Sequence, residues 1–182
     1  MSKSVDEVAA KRIVFETTVP VDEVLARFDE ELSKDRAGPK LLELLKNVKT
    51  REELEQGIQN ISGGKDFVLF ASSPFHNWRN AYHGTTQTPK TVQYTFGNPL
   101  VAETMIRHDT FAALHVPPRM LVAEKSDRTG TQVIYMLPSS VIAVSSGGNV
   151  SGDLKAAAEA LDEKVERLVR RVTSTRKRLS SL

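Results

Sequence analysis

The sequence predicts an α+β domain, an antiparallel sheet closed by one long C-terminal helix. Three observations predict it. Read along the chain, the elements run strand, helix, strands, helix, hairpin, long helix. Residues 119–125 and 131–137 flank the turn Ser126-Asp127-Arg128-Thr129-Gly130 and read as the hairpin. From about Asp153 onward, apolar residues recur in steps of four and three, the period of a helix with one buried face.

The elements follow in order. Ile13 to Val19 is rich in β-branched residues and closed by Pro20, a strand pattern. At Val21 the period changes. Val21, Val24, Leu25, Phe28 and Leu32 keep helical spacing, and Asp22 and Glu23 in the first turn suit the helix dipole. Gly38-Pro39 ends that unit and opens a short helix bearing Leu41, Leu42, Leu44, Leu45 and Val48. Thr50 followed by Glu53 is a capping-box pattern for a further helix, which Asn60 to Gly64 breaks. Asp66 to Ser72 reads as an apolar strand, followed by a polar, aromatic stretch from Pro74 to Gly84. Thr91 to Phe96 alternates, with Val92, Tyr94 and Phe96 on one side. Gly97-Asn98-Pro99 is a strand-to-helix junction: Asn98 is the N-cap, Pro99 the first helical residue, and the helix reaches about His108. Pro117-Pro118 introduces the hairpin, and Ser145 to Gly152 is a glycine- and serine-rich connection. In the last helix Leu154, Ala158, Leu161, Val165, Leu168 and Val172 form the stripe, which Thr175 interrupts and Leu179 resumes. A helix packed on the sheet accounts for that stripe more simply than a coiled-coil seam.

Composition narrows the function. With 182 residues the chain suits a single domain, 1–182. It has no cysteine, which excludes disulfides, thiolate metal sites, iron–sulfur clusters and cysteine nucleophiles. The start, Met1 to Glu7, lacks the apolar run of a secretory signal, and no apolar stretch is long enough to span a bilayer, so a cytoplasmic protein without a membrane partner is expected. The net charge of +2 hides an asymmetry: from Arg167 onward there are six basic residues and no acidic one. The body is therefore net acidic and does not favour nucleic acid. The tail lacks the interleaved aromatics of a nucleic-acid site and is better explained as a solvated helix end. No phosphate loop, dinucleotide fingerprint or nucleophile elbow is present, and no cofactor is expected.

The run Tyr94-Thr95-Phe96-Gly97-Asn98-Pro99, then Thr104-Met105, Leu114-His115-Val116-Pro117, Leu121-Val122-Ala123-Glu124, Gly130 and Tyr135, resembles the domain-of-unknown-function family numbered 302. His76 stands where members of that family often carry a histidine. The resemblance covers residues 11–172, and its most specific piece is the Phe-Gly-Asn-Pro junction. It implies a curved antiparallel sheet with helices on one face, like the TATA-box-binding-protein superfold, often as a dimer. It supplies no activity. Three features depart from the family pattern: a helical insertion at 35–65, Met-Leu-Pro after Tyr135, and a basic extension at 173–182.

Several residues are candidates for function. His76, Trp78, Arg79, Tyr82 and His83 lie within a few residues of one another and could line a pocket for an aromatic or anionic ligand, or be the solvated side of a surface loop. His76 and His83 are poorly spaced for a metal, and completing a site with His108, His115, Glu103 or Glu124 is not required by anything in the sequence, so no metal is expected. Asn98 is explained by capping, although the same exposed amides could hold an anion. Glu124 shares a strand face with Met120 and Val122, where burial beside Tyr94 or Tyr135 would raise its proton affinity. The resulting expectation is a protein that binds a small, largely apolar or aromatic ligand. Trp78, Arg79, Tyr94, Asn98, Glu103 and Tyr135 would contact the ligand, and His76 or Glu124 would transfer protons in a cofactor-free isomerase, lyase or cyclase. The competing expectation is a non-catalytic homodimeric module, because the hairpin is apolar on both faces at Val133 to Leu137.

Overall fold

In the computed structural model, which describes residues 1–5, 7–144 and 150–175, the strands Arg12–Thr17 (β1), Val68–Pro74 (β2), Thr91–Gly97 (β3), Arg119–Glu124 (β4) and Thr131–Met136 (β5) form one antiparallel sheet in the order β1-β5-β4-β3-β2. The helices are Val21–Glu31 (α1), Pro39–Asn47 (α2), Arg51–Ser62 (α3), Phe75–His83 (α4), Pro99–Ile106 (α5), Ser139–Ile142 (α6) and Gly152–Thr173 (α7), with a 3-10 turn at Thr110–Leu114. This is the α+β fold the sequence predicts.

Period-two alternation sorts the sheet into two unlike faces. Val92, Tyr94, Met120, Val122, Val133 and Tyr135 occupy the covered face, and all are buried. Phe28 of α1 stacks on Tyr94 with ring centroids 5.4 Å apart. The stripe of α7 is core: Leu154, Ala158, Leu161, Val165, Leu168 and Val172 are all buried. The final carbonyls of that helix are capped from α1 and β1. The Arg27 guanidinium donates to the oxygens of Val172 at 3.0 Å and Ser174 at 2.7 Å, and the Thr17 hydroxyl donates to Thr173 O at 2.9 Å. The open face carries the rung Val14, Ile134, Leu121, Gln93, Ser73 across all five strands. Val14 is 47% exposed and Met136 42%.

Beyond β2, the segment after α1 bonds to the sheet border. Leu69 donates its N–H to Leu32 O at 2.9 Å, and its carbonyl accepts from Gly38 N at 3.1 Å. The α2–α3 pair is set by local signals. Thr50 Oγ1 accepts from Glu53 N at 3.1 Å, while Glu53 Oε2 accepts from Lys49 N at 2.9 Å, so the capping box forms nearly as its sequence spells it. Gly130, where the hairpin meets the end of β1, admits no other residue, since a Cβ there would overlap the Thr17 carbonyl.

Some elements differ from expectation. The stretch Phe75–His83 is a helix, closed by Gly84 in the left-handed conformation (φ 59°). It buries none of its residues fully, and the helical spacing of Phe75, Trp78 and Tyr82 is short and set among polar residues, so the stretch reads as a loop. Helix α5 stops at Ile106, short of His108, and α6 and the 3-10 turn are additional. Residues 145–149 of the glycine- and serine-rich connection, and the tail from Arg176 with Leu179, lie outside the described residues.

Candidate functional site

The structure distributes the candidate residues over three places. The first is the Thr91 end of β3. Strand β2 stops pairing at Pro74↔Val92, and the imidazole of His76 takes the position of the next rung. Its Nδ1 is 3.2 Å from the Thr91 N–H and 3.1 Å from the Thr91 carbonyl oxygen. An unprotonated Nδ1 accepts from the amide, whereas a protonated one donates to the carbonyl. Next to it, Glu124 Oε2 accepts from the Lys90 N–H at 3.0 Å, and its other oxygen is 3.9 Å from Arg128. His76 and Glu124 thus bind adjacent residues of one backbone. Trp78 and Arg79 stand on the outer side of α4. Trp78 is 57% exposed, with its ring edge-on to Phe75, and Arg79 is exposed.

The second place is the middle of the covered face. Tyr94 is buried and its hydroxyl donates to Asp29 Oδ1 at 2.8 Å. Burial, with the Asp29 carboxylate beside it, pushes this phenol above its ordinary range. Tyr135 stacks on Phe15, and burial, reinforced by the Glu166 and Asp162 carboxylates, pushes its hydroxyl up to about 12.

The third place is the Gly97 end of β3, on the order of 20 Å from the first along the strand. Here α5 leaves the sheet. Asn98 Oδ1 accepts from Leu100 N at 3.0 Å, and its Nδ2 donates to Asp66 O at 3.3 Å, so both ends of the amide are committed to backbone. Beneath the helix lies a cavity of about 210 Å³ whose walls include Phe70, Val101, Met105, Val116, Pro117 and Leu161. Asn98 and Glu103 also line it, and Glu103 is the one ionisable group there. Its carboxylate is exposed and 3.9 Å from Arg107. Gly97 keeps the floor open, because a Cβ on it would lie 3.0 Å from the Pro117 Cβ.

Of the sequence candidates, then, Asn98 and Glu103 share this cavity, while His76, Trp78, Arg79, Glu124, Tyr94 and Tyr135 do not line it. Sequence reasoning missed its apolar walls. The available signal was α5 itself, Pro-Leu-Val-Ala-Glu-Thr-Met-Ile, which is apolar on more than one side and so has more to bury than the sheet can cover. No three metal-ligating side chains converge among the described residues.

The model of the family described as "Domain of unknown function DUF302" matches residues 45–171. The chain belongs to this family. The matched span holds both ends of β3, the hairpin and nearly all of α7. The crystal structure of an uncharacterized conserved protein DUF302 from Bacillus stearothermophilus superposes with a TM-score of 0.58 over 88% of this chain and 97% of that one, at 12% identity. At that identity the likeness is one of fold. No curated protein matches the chain.

Proposed function

We propose that this protein binds a small, largely apolar molecule in the cavity beneath α5, with Glu103 at its polar border. The observation that supports this reading is the cavity itself: about 210 Å³ with mostly apolar walls, at the junction that also carries the family-like Phe-Gly-Asn-Pro run. Burial of apolar ligand surface supplies the affinity, at roughly 25 cal/mol per Å². His76 and Glu124, the candidates for proton transfer, do not line this cavity and take no part in the binding.

Native mass spectrometry of the purified protein tests it, together with ligand-observed NMR using toluene. The expected result is a retained small molecule, or saturable toluene binding, that Val101→Trp abolishes by filling the cavity. Clean apo spectra with no toluene binding would refute the reading.

A second reading rests on the open face, where Val14 and Met136 are exposed around Ile134 and Leu121. There the chain would act as a homodimeric module with sheets packed face to face. A mass that doubles with concentration, and that Val14→Glu returns to monomer, would favour this reading.

A further inference from the structure

The open face carries a second concavity at its Arg119 end. A groove of about 280 Å³ is lined by Leu114, Met136, Pro138 and Val141, with His115 and Arg119 as its ionisable side chains. No carboxylate lines it. Arg12 pairs with Met136 across β1 and β5, which puts a second guanidinium on the same rung of the same face. Pro117 and Pro118 separate this groove from the cavity beneath α5, forming a wall of each.

The arginines at this end of the face, Arg119 in the groove and Arg12 beside it, are unlike the rest. Elsewhere Arg27, Arg36, Arg51, Arg107, Arg128, Arg167, Arg170 and Arg171 each have a carboxylate within ion-pair distance. Arg12, Arg79 and Arg119 have none among the described residues, and two of those three flank Met136. At the other end of the same face the charge is internally matched, Lys125 to Glu16 at 2.8 Å. Uncompensated positive charge and a concave, partly apolar lining therefore coincide at one end only.

We propose that this groove binds a free medium-chain alkyl carboxylate. Its two oxygens meet the planar fork of Arg119, which suits bidentate recognition, and His115 borders the same head. The alkyl chain lies along Leu114, Met136 and Val141, where it leaves water. A neutral alkyl chain would leave the guanidinium unmatched, and a small inorganic anion would leave the apolar lining exposed. The site is independent of the proposal for the α5 cavity.

The test is calorimetric titration of the full chain with decanoate and with decan-1-ol, which share a chain and differ in the head. Decanoate is expected to bind about tenfold more tightly, the usual weight of one charge-assisted hydrogen bond. Arg119→Gln, at an exposed position, is expected to erase that preference while leaving decan-1-ol binding unchanged, and Val101→Trp is expected to leave both ligands bound. Equal affinities for the two ligands would overturn the proposal, as would a decanoate affinity indifferent to Arg119→Gln. So would loss of decanoate binding in Val101→Trp, or binding only to anionic lipid vesicles. A dimer that buries the face and excludes decanoate would overturn it too.

Discussion

The two ends of β3 use their side chains in opposite ways. At the Thr91 end, polar groups are spent on backbone: His76 on Thr91 and Glu124 on Lys90. At the Gly97 end, the one nearby amide is likewise committed, but the apolar side chains around it do not close up, and a cavity of about 210 Å³ remains. The contrast teaches that conspicuous chemistry and available space are separate properties. A histidine or glutamate catches the eye in a sequence, yet here it completes a sheet where the neighbouring strand has ended. The vacant volume lies where mostly aliphatic and aromatic residues meet, with Asn98 and Glu103 at its border.

The largest effect that bears on this contrast is expected at Phe96, which is wholly buried and meets Phe67 edge-on at 5.2 Å beside the cavity. Phe96→Ala is expected to cost about 3–5 kcal/mol by urea denaturation. A cost near 1 kcal/mol would mean that this end already collapses freely and that its cavity is not held open. The middle of the sheet supplies a reference through pH. Because the folded Tyr135 hydroxyl is pushed up to about 12, the unfolded chain releases that proton first as pH rises. Its contribution is present in full below the ordinary phenol range near 10 and is lost between there and about 12, on the order of 2 kcal/mol. Denaturation from pH 9 to 11 should show that decline, and Tyr135→Phe should make it shallower without removing it, because the raised Tyr94 phenol loses stability over the same range. A smaller effect is expected at the polar end: Glu124→Ala, which strands the Lys90 N–H, should cost about 1–2 kcal/mol. A loss below about 0.5 kcal/mol would break the comparison, since Glu124 would then be no anchor for the backbone.

Much of the fold was legible because it rests on local rules. The Asn98 cap, the capping box at Thr50, the alternation of Thr91–Phe96 and the stripe of α7 all depend on residues within a turn or two of each other. Helix α4 was not legible, because its Phe75, Trp78 and Tyr82 keep helical spacing over only two turns and among polar residues, where a surface loop reads equally well. The candidate site was legible only in part. Asn98 and Glu103, singled out in the sequence, line the cavity, but Phe70, Pro117 and Leu161 come together there from distant stretches of chain. Nothing in their spacing announces that they share a wall.

The bonds from Leu32 and Gly38 to Leu69 have a consequence for how the chain meets other copies of itself when partly unfolded. They occupy the backbone of β2 at Leu69, near the Val68 end of that border, where another chain would otherwise add a strand. The strand order leaves β1 as the opposite border, without a neighbouring strand beyond it. Fibrillar growth or strand exchange is therefore expected at Arg12–Thr17 rather than at the Leu69 end of β2, and Arg12 and Glu16 set charges among the apolar residues of β1 that discourage it.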